Sequence, residues 1–425
     1  MSGESLWRHR DFRQLWTGDT ISQFGTMVGN TAIPLLAVGV LAATPFQMGL
    51  LTAAETAAFL LIGLPAGAWV DRMRRRPLML RADFARAALL LSVPVAWWAG
   101  VLGLAQLIAV ALLTGVCTVF FDVAYQSYLP SLVGRDQLMD GNAKLQASQT
   151  VAQVSAPAVA GGLVQAVGAA SAVLATGLGY LSSALFLLRI RAQEPAPERR
   201  AARNLRAEIA EGLRFVVGNP LLRAIAACTG STNFFLSMQQ SLLVLFLARD
   251  LGLSAGEIGG VFAVSSLGGV AGALTSGWWS RTFGQARVIW LVGLVTLPLG
   301  LLIPLAGRGW LVVLAVLGSA SAGYGAVVYN VAQVSFRQAI CPDRLLGRMN
   351  ASIRFLVWGT MPLGGLLGGL LGGWIGVRET LWVSAVGTAA AISWVLFSPL
   401  RHMRDLPKST EETAQTAETE EPAAG

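Results

Sequence analysis

About twelve apolar runs, each long enough to cross a bilayer, succeed one another along this chain, and they leave it few folds. A spanning helix needs about 20 mostly apolar residues. On that scale the first half is predicted to span at 14–41, 47–70, 78–100, 103–125, 145–168 and 170–190. The second half spans at 221–248, 256–280, 287–306, 310–330, 349–374 and 378–399. Charged residues make up 13% of the 425, against about 25% in an ordinary soluble domain. Glycine is over-used where membrane helices pack closely, and there are 48.

The placement of charge is an independent test. With the N-terminus in the cytoplasm, all but Arg249, Arg308 and Arg378 of the 31 basic residues fall on the cytoplasmic side. Arg8, Arg10 and Arg13 precede the first span. A cluster from Arg72 to Arg86 surrounds the loop between spans 2 and 3, and Arg401, Arg404 and Lys408 follow the last. This bias sets orientation in an inner (plasma) membrane and requires an even number of spans, with both termini cytoplasmic.

The same clustering excludes a nucleic-acid reading of the net charge of +8, because short basic loops between apolar runs are not a binding stripe. Three widely spaced cysteines, Cys117, Cys228 and Cys341, give neither a disulfide framework nor a metal site. His9 and His402 sit at opposite ends. No phosphate-binding Gly-x-x-x-x-Gly-Lys-[Ser/Thr] occurs, so ATP chemistry is not expected, nor are a cofactor, a metal or an enzymatic activity. The first run is too long for a signal-peptide core and reads as a retained helix.

The halves repeat. A shift of 210 carries Gly49 onto Gly259 and Gly67 onto Gly277, and a shift of 208 carries Asp122-Val-Ala onto Asn330-Val-Ala. Parallel duplication of a six-span unit is a transporter signature, with substrate held between the halves. The expected domains are a six-helix bundle over 1–190, a cytoplasmic linker over 191–219, a second bundle over 220–400 and a disordered acidic tail over 401–425. Within the linker, Leu205, Ile209, Leu213 and Val216 form one apolar stripe, read as a helix lying on the inner leaflet or as a plain linker helix.

After span 2 stands Gly67-Ala-Trp-Val-Asp71-Arg72-Met-Arg74-Arg75-Arg76. Gly67 lets a neighbouring helix approach, and the turn sets one acid among cations or against a helix N-terminus. A degraded copy, Gly277-Trp-Trp-Ser-Arg281, stands at the matching place in the second half. The stretch resembles the loop signature of the major facilitator superfamily, over nearly the whole chain. Phe12-Arg13-Gln-Leu-Trp16, Phe121-Asp122-Val-Ala-Tyr125 and Glu211-Gly-Leu-Arg-Phe215 are similar to its macrolide-efflux and enterobactin-exporter branch. The resemblance implies an all-α membrane protein of twelve transmembrane helices in two pseudo-symmetric six-helix bundles. It also implies that Asp71, with Arg72 and Arg76 in its network, latches the cytoplasmic face, with Arg348 or Arg354 as partners. A break in span 5 at Pro157, Gly161 and Gly162, with Pro362 on span 11, resembles an exporter motif; ordinary small-residue packing accounts for it as well. The arginine that many proton-coupled members carry in span 4 is absent.

Acids inside spans are costly and are functional candidates by default. They are Glu55, the deepest, then Asp19, and Asp122 near the cytoplasmic end of span 4. Low dielectric disfavours a charged carboxylate, which suits proton exchange; a structural, hydrogen-bonded acid is the alternative for each. Asp83 and Arg86, one helical turn apart near the cytoplasmic face, are expected to pair. Asn30, Asn233, Gln239 and Gln240 either line a cavity or join helices by hydrogen bonds. Phe24, Phe59, Phe234, Phe235, Trp278 and Trp358 are aromatic candidates for an apolar ligand, with lipid or core packing the alternative for each. The expected activity is export of small amphipathic molecules by proton antiport and alternating access, by a monomer whose partners are its substrate, protons and the lipid bilayer. A dedicated siderophore or macrolide-like exporter is the alternative; an importer or a non-transporting sensor ranks below both.

Overall fold

The computed structural model describes residues 6–70, 72–133, 137–192, 205–342 and 345–405. Among them every regular element is a helix. The first half contributes α1 (Arg10–Gly39), α2 (Pro45–Val70), α3 (Arg75–Trp98), α4 (Leu104–Val133), α5 (Leu138–Val167) and α6 (Ala169–Leu188). A linker helix, α7 (Leu205–Gly218), leads to α8 (Pro220–Leu245) and α9 (Ala255–Phe283). The ninth span is α10 (Gln285–Thr296) and α11 (Leu302–Leu305), joined by a 3-10 turn, and the tenth is α12 (Val312–Ile340). The eleventh is α13 (Leu346–Trp358) with α14 (Thr360–Trp374), and the last is α15 (Val377–Ala391) with α16 (Ser393–Leu396).

Eleven of these spans are long and apolar enough to cross a membrane. The twelfth, α3, has the length but carries Arg75, Arg76, Arg81, Asp83 and Arg86. The spans follow the apolar runs within a few residues, except near the arginine-rich face. There α4 and α12 run on to Val133 and Ile340, and α5 begins at Leu138. Asp122 is therefore three turns inside α4 and not near its end.

The ends of the helices are set locally. Gly168 (φ +84°) closes α5 and opens α6, and Gly376 (φ +106°) does the same between α14 and α15. A side chain is strained at such φ values, and a shift of 208 superposes these two glycines in sequence. Ser254 and Glu257 form a reciprocal capping box at α9. Asn219 caps α8, with Pro220 in its first turn.

Close helix approach explains the glycines. Gly25 and Gly29 of α1 lie against Thr176 of α6, and Gly268 and Gly272 of α9 against Ala320 and Tyr324 of α12. Large apolar side chains cover the outside, including Leu274, Phe397, Trp310 and Trp374, as a surface bathed in lipid tails requires. Trp98, Trp310 and Trp374 mark the face away from the arginines, at the depth where such rings settle.

The linker helix differs from the leaflet-bound reading. It packs on α13: Val216 is fully buried in one apolar cluster with Leu222, Met349 and Ile353. A Cβ on Gly212 would lie 2.5 Å from the Ser352 hydroxyl oxygen. Glu211 forms an ion pair with Arg348. Val216, at the described end of the stripe, buries against protein as favourably as in lipid. The linker residues 193–204 and tail residues 406–425 lie outside the described residues.

Candidate functional site

Two seams join the halves, and both are made of small residues. At the far face, opposite the arginines, Gly259 of α9 sits on α5: a Cβ there would lie 2.5 Å from the Pro157 carbonyl oxygen and 2.8 Å from the Gly161 Cα. In the partner seam Gly49 of α2 sits on α14, where its Cβ would lie 2.5 Å from the Gly365 carbonyl oxygen and 2.6 Å from the Gly369 Cα. Of the predicted span 5 motif, Pro157 and Gly161 make the seam, while Gly162 faces open space. Pro362 is buried in α14 beside Gly364, which packs on the Phe234 carbonyl of α8. Arg249 adds a tie, donating to the carbonyl oxygen of Val38 at 3.4 Å.

The α2 seam continues past mid-depth. Phe59 meets Trp358 edge-to-face, with centroids 4.8 Å apart, and Arg354 stacks over the same Trp358 at 4.5 Å. Phe234 instead pairs with Phe235 on its own helix. Glu55 lies on this stretch of α2, one turn from Phe59, and its backbone carbonyl meets Gly115 of α4. Ten residues at 1.5 Å each put it about 15 Å from the start of α2, near the middle of a span. Its half-buried carboxyl has no hydrogen bond or ion pair among the described residues.

The other acids converge on one arginine. Arg86 of α3, 3% exposed, forms an ion pair with Asp83, which is fully buried. Its guanidinium lies between the rings of Phe121 (α4) and Tyr180 (α6), 4.2 Å from each centroid. It donates to the Thr118 hydroxyl at 3.4 Å. Asp19 of α1 and Asp122 of α4 lie within electrostatic reach of this pair, and Arg354 from the other half within reach of Asp122. The predicted Asp83–Arg86 pair thus forms, but in the protein interior and not at the membrane surface. The sequence reading missed Arg86 as the hub because its charge was credited to the surface cluster.

Asp19, 7% exposed, opens onto a cavity of about 550 Å³ between α1, α4 and α5. Gln23, Tyr125, Asn142, Gln146 and Gln149 share its wall. None of the four predicted cavity residues is there. Asn233 donates to the Val357 carbonyl at 3.3 Å and so ties α8 to α13. Gln239 is buried in α8, Gln240 is exposed, and Asn30 is exposed on α1. A sequence signal for this wall exists: Gln23 is one turn from Asp19, and Asn142, Gln146 and Gln149 recur at helical spacing.

At the arginine-rich face, Asp71 lies outside the described residues, so its partner is not seen. Arg72 and Arg74 are exposed. Arg75 donates to the Ser127 carbonyl at 3.1 Å, and Arg76 to the carbonyls of Leu187 and Leu188 at 3.0 and 2.9 Å. These bonds anchor the loop to its own half, Arg76 at the C-terminal end of α6, where cations are favoured. Gly67 has open space beside it in this conformation, while its neighbours Ala66 and Val70 are buried and Trp69 stacks on Phe120 of α4.

The sequence profile of the transmembrane secretion effector family matches residues 2–422. The chain is 33% identical over 223 residues to "Enterobactin exporter EntS" of Shigella boydii serotype 18 (strain CDC 3083-94 / BS512). The match to the protein of that name from Escherichia coli O81 (strain ED1a) has the same identity and length. These matches cover 52% of this chain and 51% of the relatives, so the chain spans about half the length of the curated relatives it matches. In fold it is similar to a bacterial homologue of the iron transporter ferroportin in its inward-facing state, with TM-score 0.74 and 15% identity over 92% of this chain and 99% of that one. It is also similar to a bacterial homologue of the human lysosomal transporter Spinster, with TM-score 0.70 and 16% identity over 92% and 97%. A parallel pair of six-span units joined by two glycine seams, matched end to end by one family profile, identifies this multi-pass membrane chain as a member of the transmembrane secretion effector family of the major facilitator superfamily.

Proposed function

We propose that the protein exports small amphipathic molecules across the inner membrane by proton antiport. Bundles 1–190 and 220–400 rock about the two seams, and the arginine-rich face, with both termini, lies in the cytoplasm. The single observation that carries this reading is the set of acids within the first bundle: Asp19 on the wall of a cavity, Asp83 and Asp122 grouped with it around one buried base, Arg86, and Glu55 apart from them on α2. Buried acids of this kind mark ion pathways. Among the described residues Glu55 has no partner to hold its charge, so it is the foremost proton carrier, followed by Asp19 and Asp122. The seams close the far face while the cavity reaches toward the cytoplasmic side, which is the arrangement of an exporter ready to load. The loop from Gly67 through Asp71 to Arg76 latches the cytoplasmic face in the opposite state. The protein works as a monomer, since both seams form within one chain.

Efflux of a fluorescent dye from cells, or its uptake by inverted vesicles, tests this with and without a collapsed proton gradient. Gradient-dependent movement is the expected result; movement indifferent to the gradient rejects the antiport. A second reading, export of one metabolite such as a siderophore, is favoured by the relatives named as enterobactin exporters. Saturable transport of a single compound, with no dye transported, would select it.

A further inference from the structure

We infer that the cavity between α1, α4 and α5 binds the cationic head of an amphipathic organic molecule, with Asp19 as its counter-ion and the Tyr125 hydroxyl as a hydrogen-bond partner. This rests on the exporter reading and names the charge class of the molecule exported. The cavity's volume, about 550 Å³, is that of a small-molecule site. Among the described residues Asp19 is the only charged one on its wall, and it is 93% buried. Gln23, Asn142, Gln146 and Gln149 are neutral hydrogen-bonding groups, and the Tyr125 ring and Leu145 supply apolar surface. The Tyr125 hydroxyl is buried there without a hydrogen-bond partner. A buried hydroxyl left so is a group in want of a ligand.

The surrounding charges fix the sign. Arg86 is committed to Asp83 and enclosed by Phe121 and Tyr180, so it does not line the cavity. Lys144, between the wall residues Ala143 and Leu145 on α5, is paired with Asp140. Asp122 adds a second acid on the α4 side, with Arg354 of the other half opposite it. Asp19, Asp83 and Asp122 thus outnumber the one buried base of the bundle. An anionic ligand would add like charge to this excess, and a neutral one would leave it unmatched. A cation relieves it, and the room and apolar wall exceed what a proton alone requires.

The test uses the full-length purified protein in micelles with two probes of nearly equal shape and opposite charge, tetraphenylphosphonium and tetraphenylborate. Protein-free micelles serve as the blank in equilibrium dialysis. The wild type should bind the phosphonium about tenfold or more tighter than the borate. Asp19→Asn should lose about tenfold in phosphonium affinity, as removal of the counter-charge from a low-dielectric wall predicts. Asp19→Glu should keep the preference, and Tyr125→Phe should weaken binding of a protonated alkylamine while leaving that of the phosphonium, which cannot hydrogen-bond, unchanged. Thermal unfolding checks that each variant is folded, and the wild-type comparison decides even if Asp19→Asn is not. Equal binding of the two probes by the wild type, or undiminished phosphonium binding by a folded Asp19→Asn, overturns the inference. If vesicles move a neutral dye while the phosphonium is not bound, this inference falls and the exporter reading stands. If neither occurs, both fall.

Discussion

Gly161 of α5 and Gly259 of α9 are in backbone contact across the two halves, and the same relation joins Gly369 of α14 to Gly49 of α2. A shift of 208 carries Gly161 onto Gly369, and one of 210 carries Gly49 onto Gly259, so the duplication in the sequence becomes a pair of equivalent seams. A side chain at Gly259 meets backbone, which cannot swing aside. Gly259→Val should therefore open the far face, at a cost of about 1–3 kcal/mol to the closed state. Each 1.4 kcal/mol is about tenfold in population. Distances between spin labels at the far-face ends of α5 and α9 should lengthen; an unchanged distribution would show that the seam does not hold the gate.

Arg86 is placed to hold three acids at once. Arg86→Ala strands Asp83 in the interior, and breaking a buried pair costs about 3–5 kcal/mol. The variant should unfold at a markedly lower temperature or fail to accumulate. Removing both charges, Asp83→Asn with Arg86→Gln, should recover much of that loss. Thermal unfolding of the single and double variants decides, and equal losses in both would place the role of Arg86 in its ring contacts.

Glu55 and Asp19 are distinguished by exchange against net transport. Glu55→Gln keeps shape and hydrogen-bonding capacity but cannot release a proton. Substrate-for-substrate exchange should survive, and uphill efflux driven by a pH gradient should vanish. Retained uphill efflux in Glu55→Gln together with its loss in Asp19→Asn would move the proton carrier to α1.

The docking of α7 gives a contrast in magnitude. The Glu211–Arg348 pair is partly exposed, so Glu211→Gln should cost no more than about 1 kcal/mol. Gly212→Val places a branched side chain where Ser352 and the Arg348 backbone already stand, and should release the helix. Amide exchange in residues 210–218 should rise strongly for the second variant and little for the first.

The spans and their order were legible because length and hydropathy alone constrain them. The charged third span was legible too, though its charges were placed at the surface. The reason is physical: a single sequence shows how many charges a helix carries, and not that Phe121 and Tyr180 will enclose one of them. Asp122 was set too shallow because α4 continues through Pro130 to Val133, beyond the span end at 125 that hydropathy gives. Asn233 and the cavity glutamines have equal polarity, so only packing separates a helix tie from a cavity wall.

The composition of α3 bears on how the protein is made. Left alone in the bilayer it would be a poor insertion signal, with Asp83 and Arg86 facing hydrocarbon. Its shelter is built from Phe121 of α4 and Tyr180 of α6, which the ribosome supplies roughly 35 and 95 residues after Arg86. The third segment must therefore wait beside the translocation channel, or lie paired to its neighbours, until the sixth has emerged. In biogenesis, the first bundle is a single cooperative insertion unit and not a series of independent stops.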